Sequence, residues 1–262
     1  MPTGDETASA SHQVIELRLL GGFDLRVDDA CVELPESSQR LLGLLALRGR
    51  GRSRSCVAGD LWPEKSDDRA MANLRSAIWR LQRSVDCELV ALTPTLVAIA
   101  PSVLVDTSEV ERKLSVIRTA TVEQIYADVY RSLGLELLPG WYDDWVLHER
   151  ERLRQIQFHL LELATERLCA ARWFGEAIDT AHRLVAADPY RERSHLLLIR
   201  TLAREGSLIS ASQAFDRFVN VMEGDLHVCV TIDLTTALGS CSDVAVVTSA
   251  RPWQGASPVM PR

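Results

Sequence analysis

The residues of this chain that most clearly suggest a chemical role lie in one segment, DDRAMANLRSAIWRLQR, residues 67–83. At 100° per residue, a helix over this segment places five polar side chains on one face: Arg69, Asn73, Ser76, Arg80 and Arg83. Arginine bonds bidentately to guanine, asparagine to adenine, and serine to either base. No acidic residue stands between Arg69 and Arg83. The face therefore suits contact with the bases and phosphates of a DNA duplex.

The opposite face of the same helix is apolar. It carries Ala70, Leu74, Ala77, Ile78 and Leu81, which are expected to form a core. The alternative interpretation is a solvated amphipathic helix whose arginines only maintain solubility. Asp67 and Asp68, in the first turn, would repel phosphates if that end of the helix approached a nucleic-acid backbone.

The elements around this helix predict how it is positioned. Residues 14–35 alternate between apolar and polar types and predict a short hairpin or a small antiparallel sheet. Two helices follow, one capped by Ser37 or Ser38 and one ended by Pro63, before Ser66 caps the third. Residues 88–105 predict a hairpin around Thr93 and Pro94. This order is typical of a winged helix-turn-helix, whose third helix enters the major groove while the hairpin, the wing, contacts backbone or minor groove.

A second group of basic residues stands between the first two predicted helices. Arg48, Arg50, Arg52 and Arg54 occupy a stretch rich in glycine and serine, which predicts a turn. These arginines are expected to contact phosphates, with a merely solvated turn as the alternative. The wing tip, residues 93–95, carries no positive charge, so we expect it to add little electrostatic affinity.

The charge of the chain is unevenly distributed. The net charge is −7, yet residues 40–83 contain ten basic and four acidic residues, a net +6. The remainder therefore carries −13. This asymmetry indicates a basic binding face on one domain and a different role for the rest.

From about residue 107 the sequence pattern is helical, and part of it repeats. Residues 170–189 align with residues 204–223 at an offset of 34, which pairs Phe174 with Leu208 and Ala177 with Ala211. A 34-residue helix–turn–helix period is typical of tetratricopeptide (TPR) repeats. The predicted organisation has four segments: a disordered tail 1–13, a DNA-binding domain 14–106, a helical domain 107–239 and a disordered tail 240–262.

Several function classes are disfavoured. The six cysteines are scattered without a CxxC motif, and no histidine spacing suits a metal. Motifs for a nucleophilic serine or a dinucleotide are missing, as are an apolar run of membrane length and a leader segment. We therefore expect a protein of a reducing cytoplasm that is not an enzyme and needs no metal, cofactor or membrane.

A family resemblance adds to these expectations. The residues that carry it are LRLLGGFDLRVD (17–28), SSQRLLGLLAL (37–47), VAGDLWP (57–63), ANLRSAIWRLQR (72–83), LLPGWYDDWVLHERERLRQ (137–155) and AADPYRERSHLLLIRTLAREG (186–206). With these segments the chain resembles the Streptomyces antibiotic regulatory protein (SARP) family of bacterial transcriptional activators. The 137–155 block is the most specific, since a generic tetratricopeptide protein would not have it.

The resemblance implies a mainly α fold, in which an OmpR-like winged helix-turn-helix precedes an all-α, TPR-like bacterial transcriptional activation domain (BTAD). It also implies an activator that binds tandem repeats in promoter DNA, as a homodimer, and recruits RNA polymerase for a biosynthetic gene cluster. The location implied is the bacterial cytoplasm, at the nucleoid.

The chain departs from the family pattern at residues 225–234, DLHVCVTIDL, where relatives often have a Gly-Val-Glu-Pro stretch. A P-loop and a receiver domain are missing, as expected for the small, stand-alone class. The alternative function is a protein-interaction adaptor in which the TPR-like half is active and the winged helix does not bind DNA. Ligand sensing by the helical half is a third hypothesis, for which the residues identify no ligand.

Overall fold

The computed structural model describes residues 13–132 and 135–238. The chain forms two compact units, the first ending at Ala171 and the second beginning at Arg172. The tails expected at 1–13 and 240–262 lie outside the described residues, apart from residue 13.

The first unit begins with a small sheet, as the alternation predicts. Strands β1 (Ile15–Arg18), β2 (Asp24–Val27) and β3 (Ala30–Cys31) pair antiparallel in sequence order. A fourth strand, β7 (Val103–Val105), pairs with β1 in parallel, with Ile15 opposite Val103. The pattern did not predict this parallel pairing, because it depends on the chain returning to β1 after three helices and a hairpin.

Three helices follow: α1 (Glu36–Arg48), α2 (Arg54–Leu61) and α3 (Asp67–Ser84). The cap predicted for α1 at Ser37 or Ser38 is wrong, because the N-cap residue is Pro35. Ser38 is instead buried and donates its hydroxyl to the carbonyl of Ala77 in α3, at 3.3 Å. This bond joins α1 to α3.

The predicted wing is present and has a third strand. Strands β5 (Val90–Leu92) and β6 (Leu96–Ile99) form the hairpin, and β4 (Arg52–Ser53) pairs with the other edge of β6. The turn predicted between α1 and α2 is therefore wrong at Arg52, which lies in β4, and at Arg54, which is the first residue of α2. Two residues are too short for an alternating pattern, so β4 could be found only through its partner.

Three further helices complete the first unit: α4 (Asp106–Val116), α5 (Val122–Ser132) and α6 (Asp144–Ala170). Both α4 and α5 pack on α6. The boundary expected between residues 106 and 107 stays a prediction, since these helices belong to the same compact unit as the winged helix.

The second unit contains the predicted repeat. Helices α7 (Phe174–Ala187) and α9 (Leu208–Asn220) begin 34 residues apart, with α8 (Glu192–Glu205) between them. Ala181 and Ala211 are fully buried, as small residues are where helices pack closely. After α9 a π-helical turn, Val221–Asp225, and a short helix α10, Leu234–Leu238, follow. This end of the unit covers the segment in which the sequence departs from its relatives.

Candidate nucleic-acid interface

Helix α3 is oriented as its pattern predicts. Its buried residues are the five predicted for the core: Ala70, Leu74, Ala77, Ile78 and Leu81. The helix packs against α1 and α2. Its polar side therefore faces away from the core of the unit.

The five polar residues of α3 are not equally accessible. Arg69, Ser76, Arg80 and Arg83 are exposed, whereas Asn73 is half-buried at the edge of the face. The Ser76 hydroxyl donates to the carbonyl of Ala72, at 3.1 Å. The Ser76 hydroxyl can therefore still accept a hydrogen bond from a ligand. Asn73 would contact DNA only if the duplex came close to the edge of the face.

Two of the arginines have partners that restrain them. Arg80 donates from Nη1 to the Ser37 hydroxyl, at 3.2 Å, which leaves other donors of its guanidinium available. The Arg83 guanidinium carbon lies 5.0 Å from the centroid of the Trp79 ring, a cation–π distance. Both contacts are on the surface and hold the side chains close to the helix.

Three exposed residues of α3 belong to this face although the sequence argument did not include them. They are Ala72, Arg75 and Trp79. On a helical wheel they continue the polar side beyond Arg83 and Ser76. We call the exposed residues 69, 72, 75, 76, 79, 80 and 83 the outward face of α3. Its centre lies nearer Ser76 and Arg83 than Asn73, because contact with α1 and α2 sets the rotation of the helix.

The second basic group adjoins the wing. Arg50 is exposed, and Arg52 and Arg54 are half-buried. Arg52 pairs with Val97 of β6, and the backbone N–H of Arg54 donates to the carbonyl of Thr95 at the wing tip, 3.1 Å away. The wing tip is uncharged, as its sequence shows, but arginines from β4 and α2 stand beside it. Arg54 Nε is buried without a hydrogen-bond partner.

Arg48 differs from the other arginines of this stretch. Its guanidinium pairs with Glu149 of α6, at 3.4 Å, and Glu149 also binds Arg152, at 2.7 Å. Because Arg48 is engaged within the unit, it is a poor candidate for a phosphate contact. Its spacing alone could not distinguish it from Arg50.

The most specific block of the sequence, residues 137–155, joins α6 to α1. Trp145 and Trp141 lie 3.6 and 3.7 Å from the position that a Cβ on Gly43 would occupy. Arg150 donates to the carbonyls of Leu137, Leu138 and Trp141, at 2.8 to 2.9 Å. The block therefore stabilises the first unit and holds α1, on which α3 rests.

One half-buried carboxylate fixes the end of β1. Asp106 accepts hydrogen bonds from the backbone N–H groups of Leu19 and Leu20, at 2.9 to 3.0 Å. Burial raises the pKa of Asp106 above the ordinary aspartate value, although these hydrogen bonds oppose the shift. Asp106 thus joins β7 and α4 to the loop after β1.

Among residues 13–132 and 135–238, no group of three or more His, Cys, Asp and Glu side chains could hold a metal ion. Within the same part of the chain, none of the helices combines the length and the apolar composition needed to cross a membrane.

Comparison with known proteins supports the resemblance noted in the sequence. Residues 124–237 match the family model described as bacterial transcriptional activator domain. Among solved structures, the chain is similar to Mycobacterium tuberculosis EmbR in complex with a low affinity phosphopeptide, with a TM-score of 0.69 and 18% identity. The match covers 86% of this chain and 64% of the EmbR chain. No curated protein matches the sequence significantly.

These findings define a winged helix-turn-helix joined to a TPR-like helical activator domain. The bacterial transcriptional activator domain at residues 124–237 and the EmbR-like fold support membership of the SARP/BTAD family of bacterial regulators. That family is one of transcriptional regulators and not an enzyme class. At 18% identity the likeness to EmbR concerns the fold, and this chain spans less than two thirds of the EmbR chain, 64%.

Proposed function

We propose that this protein is a sequence-specific DNA-binding transcriptional activator. The observation that carries the proposal is the outward face of α3. It presents four arginines, at 69, 75, 80 and 83, and its seven residues include no acid, although exposed Asp68 lies beside them in the first turn. Guanidinium groups suit both guanine edges and phosphates, and the third helix of this motif is the one that enters the major groove.

The arginines beside the wing support the same proposal. Arg50, Arg52 and Arg54 stand next to the wing, which approaches the DNA backbone in this class of motif. They offer the phosphate contacts that the uncharged wing tip lacks. The DNA-binding domain is proposed to comprise residues 14–106.

The family suggests the finer aspects of the function. We propose that the protein binds tandem repeats in promoter DNA as a homodimer and contacts RNA polymerase through residues 107–239. The promoter proposed is that of a biosynthetic gene cluster, and the location is the bacterial cytoplasm, at the nucleoid.

The first test is binding of the full chain to a pool of random duplexes at several salt concentrations, with the recovered sequences determined. We expect one short motif to be enriched, and binding to weaken steeply with salt as phosphate contacts release counterions. The double variant Asn73→Ala and Arg80→Ala should lose the enrichment. Retention of DNA without any enriched sequence would limit the face to phosphate binding.

The test uses the full chain rather than residues 14–106 alone, because α6 packs on α1. The adaptor is the alternative, motivated by the −13 charge outside residues 40–83. If the full chain retains no duplex at low salt and a pull-down from nuclease-treated lysate recovers a protein partner, the adaptor replaces the activator.

A further inference from the structure

Trp79 is an unusual residue for the outward face of α3. Its side chain is large and apolar, yet the residue is 57% exposed. The five buried residues of α3 supply the core on the other side of the helix, and Trp79 is not among them. Packing in the core therefore does not account for a tryptophan at this position, and a contact with a ligand is considered instead.

The indole of Trp79 is held in place on the helix surface. Arg83, one turn further along, places its guanidinium carbon 5.0 Å from the ring centroid. This cation–π contact restrains both side chains in the free protein. Less side-chain conformational entropy is therefore lost when a ligand binds.

The side of Trp79 toward the start of α3 is lined by small residues. Ala72 is exposed and lies two turns earlier, on nearly the same line of the helix. Ser76, between them, turns its hydroxyl back to the Ala72 carbonyl, at 3.1 Å. Ala72, the Cβ of Ser76 and Trp79 thus form an apolar strip, with Arg75 on one side and Arg80 on the other.

We propose that the apolar strip contacts the 5-methyl group of thymine, and that Trp79 is a specificity-determining residue for DNA. The inference rests on the proposed function. In the major groove a thymine presents one acceptor and its methyl group, and the methyl is the apolar group that a base edge offers there. Guanidinium groups cannot recognise it. The strip and the arginines would therefore divide recognition, the strip taking thymine and the arginines guanine or phosphate.

The test uses the full chain and the duplex enriched from the random pool. Each thymine is replaced in turn by deoxyuridine, which lacks only the methyl group. We expect at least one replacement to weaken binding of the wild type about three- to fivefold, the fold-change that burial of one methyl predicts. The same replacement should have a much smaller effect on Trp79→Ala, because the methyl then loses its largest partner in the strip.

Two controls isolate the contact. Tyr142→Ala removes an exposed aromatic residue outside α3, 79% exposed, and should keep the wild-type response to deoxyuridine. Trp79→Phe retains an apolar ring and should keep part of that response. Thermal unfolding of each variant verifies that it folds.

The outcomes separate the two proposals. If a motif is enriched but no deoxyuridine weakens the wild type, or if the loss persists unchanged in Trp79→Ala, the thymine contact is overturned and the activator stands. If the wild type enriches no motif, sequence-specific binding fails and the thymine contact fails with it. If Trp79→Ala changes the oligomeric state in gel filtration and leaves the deoxyuridine response intact, the strip is a contact between copies of the chain.

Discussion

Two arginines of α3 are exposed to solvent and are also held in place by contacts with neighbouring side chains. Arg80 is exposed and yet bonded to Ser37, and Arg83 is exposed and yet stacked on Trp79. Such contacts are weak in water, about 0.5–1 kcal/mol for an exposed cation–π pair. They are sufficient to orient long side chains that would otherwise sample many rotamers.

Replacing Arg80 by alanine tests whether it contacts a base. We expect affinity for the enriched duplex to fall by about 1–3 kcal/mol, because one bidentate donor is lost, and affinity for unrelated duplexes to fall less. Fluorescence anisotropy on both duplexes measures the difference. Arg18→Ala, on β1, is the matched control and should leave both affinities unchanged. An equal loss on both duplexes, with a shallower salt dependence, would make Arg80 a phosphate contact.

The half-buried carboxyl of Asp106 predicts a pH dependence of stability. Its pKa is raised in the folded state, so its contribution to stability is complete below the ordinary aspartate pKa and is lost as pH rises through the raised pKa. The unfolding free energy of the wild type, minus that of Asp106→Asn, should therefore decrease with pH across this window. Urea unfolding at a series of pH values measures it. A difference that increases with pH would show that the pKa is lowered instead.

At the scale of elements, one loop and one short strand support the face proposed to bind DNA. The loop before α6 is held by Arg150, whose side chain is 18% exposed and donates to three backbone carbonyls. The short strand β4 places Arg52 beside the wing. Each arrangement leads to a separate prediction.

Removal of Arg150 should destabilise the first unit. Arg150→Ala leaves three backbone carbonyls without their charged donor, and we expect a loss of about 2–4 kcal/mol in the free energy of unfolding. Chemical denaturation followed by circular dichroism measures the loss. Arg154→Ala, one turn further along α6 and 45% exposed, should cost at most about 1 kcal/mol. Equal losses for the two variants would contradict the structural role given to Arg150.

The arginines beside the wing should affect how DNA affinity depends on salt, and they should not affect which DNA sequence is preferred. In the double variant Arg50→Ala and Arg52→Ala, the slope of log K against log salt should become shallower by about 1–2, since each phosphate contact contributes about 0.9. The motif enriched from random duplexes should be unchanged. A changed motif would assign one of these residues to base contact instead.

At the scale of the whole molecule, the first compact unit extends well beyond the winged helix. Gly43 of α1 lies against Trp141 and Trp145, Trp141 stacks on Phe23 at 6.2 Å, and Arg40 pairs with Asp143. The helical part up to Ala171 therefore supports α1, the helix against which α3 packs.

Truncation tests this organisation. A chain ended after Ala171 should unfold cooperatively and enrich the same motif as the full chain. A chain ended after residue 110 loses the partners of Gly43, Arg40 and Arg48, and we expect its melting temperature to fall by at least about 10 °C. Differential scanning calorimetry of both fragments gives the comparison. Equal melting temperatures would mean that residues 14–106 fold independently of α6.

Elements with a regular local pattern were predictable from the sequence. The buried and polar sides of α3, the hairpin around Thr93 and the 34-residue offset between α7 and α9 all agree with the structure. In each of them the period is written in neighbouring residues, and the apolar side must be buried. The five polar residues proposed to contact DNA were chosen in the same way, and their role stays a prediction.

Other features were decided by tertiary contacts. The pairing of β7 with β1, the addition of β4 to the wing and the ion pair of Arg48 with Glu149 all join residues that are distant in the chain. No local pattern encodes such a partner. The half-burial of Asn73 and the exposure of Trp79 follow from the rotation of α3 about its axis. The sequence by itself determined which side of α3 is polar; packing against α1 and α2 decided which of those polar residues a ligand can reach.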